Sequence, residues 1–319
     1  MVPLVEIKDL SVNYYTERGT LFAVDKVSLS INKGEILGLA GESGSGKSTL
    51  GLSIMRLVEY PGKIIGGKIF FKEKNLLEVN EDEFRKEYLW KRIAMVFQGS
   101  MSGFTPVYTI GYQIEEAILA HEDTSREEAR KRVEDLLVSV GLDKDIADRY
   151  PHELSGGQKQ RAFIAMALAL NPEFLIADEP TTALDVIVQA QIISLLDKIR
   201  REKGVTVMFV SHDISLLSLI SDRIAIMYAG KIAEIGNTEE ILRRPLHPYT
   251  QLLLSSVPKL KGGKIIGIPG NPPDMRNPPK GCRFHPRCPF VMERCKKEEP
   301  ELIPIGKSDR KVACWLRGL

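Results

Sequence analysis

The sequence predicts an α/β protein built on a largely parallel sheet, followed by a small cysteine-bearing module. Short aliphatic runs alternate with longer amphipathic ones through most of the chain, and strand–helix alternation is what a parallel sheet with crossover helices requires. A Gly-rich turn joins the second strand candidate to an apolar run, the strand–loop–helix order of such folds. A third observation sets the module apart: all four cysteines (Cys282, Cys288, Cys295, Cys314) fall in the last 38 residues, and the first 281 have none.

The elements follow in order. Val5–Leu10 is the first strand candidate and Glu35–Ala40 the second, running into the glycines at 41–46 and then the apolar run Leu50–Val58. Arg92–Phe97 is the third strand. Ser125–Val140 reads as a helix: Ser125 and Glu128 form a capping box, Ala129, Val133, Leu136, Leu137 and Val140 recur on one face, and Gly141 closes it. A helical run from Lys159 to Leu170 precedes the strand Phe174–Ala177, and Val205–Val210 and Arg223–Tyr228 complete the strands. Gln251–Val257 is helix-like. A Gly/Pro-rich stretch (Gly262, Gly263, Gly267, Pro269, Gly270, Pro272, Pro273, Pro278, Pro279) can continue neither helix nor central strand, and reads as an ordered linker. The expected division is a large domain at 1–255, a linker at 256–281 and a Cys-rich module at 282–319, with no internal repeat.

Composition narrows the function. The 319 residues are 43% hydrophobic and 27% charged, with 44 basic against 42 acidic side chains. A net charge of +2 makes no case for a nucleic-acid surface. Apolar stretches such as Phe163 to Leu170 fall short of the roughly 20 residues that span a bilayer. MVPLVEIKDL lacks the pattern of a signal peptide. The expectation is a soluble protein of the cytoplasm.

Gly41-Glu42-Ser43-Gly44-Ser45-Gly46-Lys47-Ser48 follows a strand candidate and opens a helix, the context a phosphate loop needs. Its glycines let successive N–H groups curl around phosphates, with the helix end adding positive potential. Lys47 would neutralise phosphate charge and Ser48 would ligate Mg²⁺. Phe174–Ala177 ends in Asp178 and Glu179, two carboxylates that a buried strand does not need. Asp178 would hold the Mg²⁺ shell through water, and Glu179 would polarise the attacking water for in-line phosphoryl transfer. Leu154-Ser155-Gly156-Gly157-Gln158 leads a helix and forms a second anion cradle, which one nucleotide does not require. It suits the γ-phosphate of ATP held by a partner protomer.

This last segment resembles the signature motif of ATP-binding-cassette (ABC) ATPases, and the other cassette elements stand in family order over roughly residues 3 to 250. The resemblance implies a P-loop NTPase cassette with a RecA-like core, an N-terminal antiparallel β subdomain and a helical subdomain at about 99–160 facing a membrane-embedded partner. It implies that residues 41 to 48 and Thr49 bind the nucleotide, and that Tyr14 stacks on adenine in preference to Tyr15. Gln98 would reach Mg²⁺ and the attacking water, Ala183-Leu184-Asp185 would cross between protomers, and His212 would touch the γ-phosphate. His121, His152 and His247 are read as packed or surface residues. Cassettes work as dimers with two ATPs sandwiched between them.

Arg244-Pro-Leu-His247-Pro248-Tyr249-Thr250-Gln251 resembles the start of the C-terminal extension of dipeptide/oligopeptide importer ATPases, although by itself it reads as a turn before a helix. Gln98 to Gly111 resembles the same subfamily, with Gly99 where Asp is common and Gly103-Phe104 in the following turn. The implied partners are a second, similar cassette subunit, two membrane-spanning permease subunits and an extracytoplasmic peptide-binding protein, with the chain peripheral on the cytoplasmic face of the membrane. Oligosaccharide or nickel remain alternative cargoes; a cassette acting in DNA repair or translation usually shows a coiled-coil insertion or tandem cassettes, absent here.

The cysteines are spaced C-x5-C-x6-C-x18-C. Disulfides are disfavoured in a reducing cytoplasm, and so small a module needs a staple. Four thiolates suit zinc or an iron–sulfur cluster. Paired C-x2–4-C spacings typical of zinc ribbons are missing, and the wider spacing resembles importer ATPases that carry a 4Fe–4S cluster. Iron–sulfur is the expectation, with zinc or no metal as alternatives, structural stapling as its role and metal-dependent sensing as a further reading.

Overall fold

The computed structural model describes residues 3–99, 103–256, 267–306 and 309–316. The chain forms two units, Met1–Glu78 with Phe209–Leu319, and Val79–Met208.

The first unit carries an antiparallel sheet in which Val5–Thr16 pairs with Gly19–Ile31 on one side and Gly62–Phe71 on the other. Val5, Ile7, Leu10, Val12, Val24, Ile31, Ile69 and Phe71 bury one face. A register shift between Ile7 and Leu10, with Asp9 at φ +49°, interrupts the simple alternation. Beside this sheet, Ile36–Ala40 runs parallel to Arg223–Tyr228, which turns back antiparallel into Lys231–Asn237. All five residues of Ile36–Ala40 are buried, the near-continuous apolar run of a strand covered on both faces. Lys311–Val312 then pairs with Glu234 and Ile235, and Ile303–Pro304 pairs with Lys311–Val312. Backbone hydrogen bonds thus bind the cysteine-bearing segment into this unit.

The second unit pairs Ile93–Val96 in parallel with Phe174–Asp178. Helices Ile110–Leu119, Arg126–Ser139 and Gly156–Ala167 pack on one another. Arg126–Ser139 starts at the predicted box, Ser125 accepting from the Glu128 N–H, and Gly141 follows at φ +74°. Arg130 joins this helix to Glu115 at 3.4 Å and Asp148 at 2.8 Å. Val186–Lys203 ends at Gly204 in the left-handed conformation. The chain passes between units within the fully buried strand Thr206–Ser211.

Several boundaries differ from the sequence reading. The helix after the glycine loop is Lys47–Ile54, shorter than Leu50–Val58, because Arg56 adopts φ +55° and leaves helical geometry. The run at 159–170 is the helix Gly156–Ala167, which starts earlier because Ser155 caps it. The run at 251–257 is the helix Pro248–Ser255, begun by a proline at its first turn, where no N–H is needed. Val5–Leu10 continues to Thr16, and Gly19–Ile31, Gly62–Phe71 and Lys231–Asn237 are strands without a strong aliphatic signature. No helix among the described residues is long and apolar enough to cross a membrane.

Candidate functional site

The glycine loop leaves the carboxyl end of Ile36–Ala40 and closes on the helix Lys47–Ile54. Gly46 caps that helix at φ +102°, and a Cβ there would lie 2.3 Å from the Ala23 carbonyl oxygen. At Gly41 a Cβ would meet the Met227 carbonyl oxygen at 2.1 Å. Both positions exclude any side chain, so the loop's path depends on them. Lys47 is buried, and its Nζ donates to the carbonyls of Gly41 at 2.8 Å and Glu42 at 2.9 Å. The ammonium is held against its own loop, with the Ser45 hydroxyl at 3.4 Å as a further acceptor. Ser48 and Thr49 lie half-buried in the first helical turn, and a serine hydroxyl is the hard oxygen donor that Mg²⁺ prefers.

Glu42 is anchored from the C-terminal region of the same unit. Its backbone N–H donates to the Tyr249 hydroxyl at 2.9 Å. Its carboxylate takes a fork from Arg287, Nη1 at 2.7 Å and Nη2 at 3.0 Å. Arg287 also donates to the Pro269 carbonyl at 2.7 Å and the Tyr228 hydroxyl at 3.2 Å. Burial acts to lower the Arg287 pKa, but hydrogen bonds to Glu42 and Tyr228 hold it above the ordinary arginine value. Burial likewise raises Tyr249 above the ordinary phenol range, so its hydroxyl stays protonated.

Tyr249 is positioned by the segment that reads as a turn in isolation. Glu234, fully buried, accepts from the backbone N–H groups of Leu246 at 3.0 Å and His247 at 2.9 Å, and from Arg310 Nε at 3.1 Å. His247 is packed, as expected, and it also organises the backbone. Its Nδ1 accepts from the Tyr249 N–H at 3.0 Å and caps the helix Pro248–Ser255. Burial lowers that imidazole to about 4, keeping it the neutral acceptor this cap needs.

Tyr14 lies half-buried on Val5–Thr16 opposite Gly62 and Leu21, whereas Tyr15 is 50% exposed. His212 stands exposed directly after Thr206–Ser211, and Asp213 behind it caps Ile214–Ile220, accepting from the Ser215 N–H at 2.8 Å. His121 bonds the Ala117 carbonyl at 3.0 Å, and His152 stacks on Tyr150.

In the second unit, Phe174–Asp178 delivers Asp178 buried and Glu179 half-buried at its carboxyl end. Glu179 adopts φ +47°, a conformation a non-glycine residue holds only where its surroundings enforce it. Gln98 Nε2 donates to Glu179 Oε2 at 3.0 Å, and so does the Thr182 hydroxyl at 3.0 Å. The structure therefore brings together the two residues assigned to the attacking water. Ala183 is at φ +63°, and Asp185 caps Val186–Lys203, accepting from the Val188 N–H at 3.0 Å. Ser155 caps Gly156–Ala167, its Oγ accepting from the Gln158 N–H while the Gln158 side chain accepts from the Ser155 N–H at 2.9 Å. Ser155 and Gly156 are exposed at that helix end, so the second cradle is open to an incoming anion. Gly99 adopts φ +74°, and Phe104 is buried edge-on to Phe163.

Cys282, Cys288, Cys295 and Cys314 line one small cavity with His285 and Trp315 among their neighbours. The Cys282 N–H donates to the Cys295 carbonyl at 2.8 Å, which fixes two of the four relative to each other. Burial pushes the Cys282 thiol to about 12 and raises Cys288 as well. Among the described residues, no group of three or more His, Cys, Asp or Glu side chains is arranged to hold a metal ion.

Sequence reasoning missed the Tyr249 and Arg287 contacts to Glu42. A carboxylate inside an anion-binding loop demands a compensating cation, but no spacing rule singles out one 245 residues away.

A family model described as ABC transporter matches residues 24–182, and one described as oligopeptide/dipeptide transporter, C-terminal region, matches residues 233–295. The chain is 42% identical over 315 residues to the dipeptide transport ATP-binding protein DppD of Haemophilus influenzae, covering 98% of this chain and 94% of that protein. It is 41% identical to the oligopeptide transport ATP-binding protein AppD of Bacillus subtilis, covering 99% and 97%. Among solved structures it is similar to a dimeric post-hydrolysis state of the ATP-binding cassette MJ0796 bound to ADP and Pi, at TM-score 0.66 and 33% identity over 73% of this chain and 98% of that one.

Proposed function

The chain belongs to the ABC transporter family of ATP-binding proteins, and from that premise we propose that it is the ATP-hydrolysing subunit of a dipeptide or oligopeptide importer. The single observation that carries the cargo class is the segment from Glu234 to Tyr249. It coincides with the oligopeptide/dipeptide C-terminal region and is built into the glycine loop through the Tyr249 hydroxyl.

In this reading Gly41 to Thr49 hold the phosphates, Lys47 neutralises them, Tyr14 stacks on adenine, and His212 reaches the γ-phosphate. Ser48 and Gln98 would hold Mg²⁺, with Asp178 supporting its shell through water, and the bound ion would supply charge neutralisation at the phosphates. Glu179 takes the proton of the attacking water, its Oε2 set by the Gln98 amide and the Thr182 hydroxyl. Ser155, Gly156, Gly157 and Gln158 cap the γ-phosphate of ATP bound by a second cassette subunit. Closing on ATP and reopening after hydrolysis then drives two permease subunits, fed by an extracytoplasmic peptide-binding protein, from the cytoplasmic face of the membrane.

The test is Glu179→Gln. It should leave MgATP binding within twofold and lower turnover by at least about 100-fold, the scale of lost general-base catalysis. Turnover near the parent rate would remove Glu179 from its role. With permeases and binding protein in vesicles, ATP-dependent uptake of a dipeptide supports the cargo class. Uptake of an oligosaccharide or nickel instead would overturn it.

We read the four cysteines as ligands of a 4Fe–4S cluster in preference to zinc, on their spacing. The paired C-x2–4-C spacings typical of a zinc site are missing from the sequence. A cubane spreads its ligands wider, and the four side chains share one cavity. The cluster would staple the segment. Protein purified without oxygen should contain about four irons and four sulfides per chain; one zinc, or no metal, would overturn this assignment.

A further inference from the structure

Glu42 places a carboxylate at the second position of a loop whose amides and Lys47 are arranged for anions. All three of its polar groups are engaged. The N–H donates to Tyr249, the carbonyl accepts from Lys47 at 2.9 Å and from the Ser45 N–H at 3.2 Å, and the carboxylate is forked by Arg287. Arg287 is almost fully buried, and Glu42 is about one-quarter exposed at its side chain. The guanidinium is itself fixed by the Pro269 carbonyl and the Tyr228 hydroxyl. It therefore meets Glu42 with its geometry already set, and a planar fork on a carboxylate is the strong, directional form of such a bond.

We propose that Arg287 is a positioning residue for nucleotide binding. It neutralises the Glu42 carboxylate beside the phosphate subsite and pins the loop in its anion-accepting curl. The C-terminal segment thereby contributes to the affinity of the site as well as to the stability of the unit. Arg287 sits in the turn His285–Arg287 immediately before Cys288, so whatever orders the cysteine cavity also orders the guanidinium. The inference rests on reading residues 41 to 48 as the phosphate loop, and it holds whichever group the cysteines bind.

The experiment is calorimetric titration of full-length protein with MgADP. Arg287→Met should weaken binding about tenfold, or ~1.4 kcal/mol. Adding Glu42→Gln to Arg287→Met removes the uncompensated carboxylate and should bring affinity back to within about threefold of the parent. Arg287→Lys, which keeps the charge and loses the fork, should fall between. Arg283→Met is the control. Arg283 is equally buried in the same segment but bonds Asp25 and the Ala229 carbonyl, so its loss should leave MgADP affinity within about twofold. Thermal melts of all variants separate loss of fold from loss of binding. Unchanged affinity in Arg287→Met, no recovery in the double variant, or an equal loss in Arg283→Met would each overturn the proposal. A parent protein that fails to bind MgADP would instead take down the phosphate-loop reading itself.

Discussion

Arg310→Met probes how the C-terminal segment is fastened to the cassette. Arg310 and Glu234 form a pair in which Glu234 is completely buried and the arginine side chain only 8% exposed. Nε donates at 3.1 Å and Nη2 at 2.5 Å, and Nη2 also reaches the Arg244 carbonyl. Methionine fills much of the aliphatic volume but leaves the carboxylate buried with, among the described residues, the Leu246 and His247 amides as its donors. Breaking one partner of a buried pair costs about 3–5 kcal/mol. The two remaining amides put this case near the lower end, about 3 kcal/mol. For a unit of this size that corresponds to a melting decrease of roughly 6–12 °C. The assay is thermal unfolding followed by circular dichroism, with Glu234→Gln combined with Arg310→Met as the second arm. The double variant buries no unpaired charge and should recover at least about half of the loss. A decrease under about 1 kcal/mol in Arg310→Met, or a double variant worse than the single, would show that the pair does not fasten the segment.

Two further outcomes follow from the same region. The buried His247 imidazole titrates at about 4 against 6.5 in the unfolded chain, so the unfolded state takes up the proton first as pH falls. Its contribution is intact above about pH 6.5 and about 2 kcal/mol weaker by pH 5; His247→Asn should lose about that much less stability between pH 7 and pH 5 in urea titrations, and parallel pH profiles would refute it. Tyr249→Phe keeps the ring but strips the acceptor from the Glu42 amide, and should cost about 1–2 kcal/mol in stability together with weaker MgADP binding. Parent-like values in both measurements would mean that the hydroxyl does not anchor the loop.

Local chemistry made much of this molecule readable in one dimension. Glycines at 41, 44 and 46 before Lys47, the Ser155-Gly156-Gly157 helix start and the acids closing Phe174–Asp178 all act within a few residues of themselves, so their spacing carries their geometry. The fully buried strand Ile36–Ala40 announced itself by apolar content alone. Strands such as Gly19–Ile31 and Gly62–Phe71 did not, because an antiparallel sheet with one open face admits polar residues and glycine. The cassette family, the nucleotide motifs and the clustering of four cysteines were all legible before any fold was known. Folding in three dimensions was needed to make His247 a helix cap, to set Lys311–Val312 beside Glu234, and to bring Arg287 to Glu42 across 245 residues. Those are pairings of single charges and hydroxyls with distant partners. A buried carboxylate states that it needs a cation, but the chain can meet that need from any element the fold brings near.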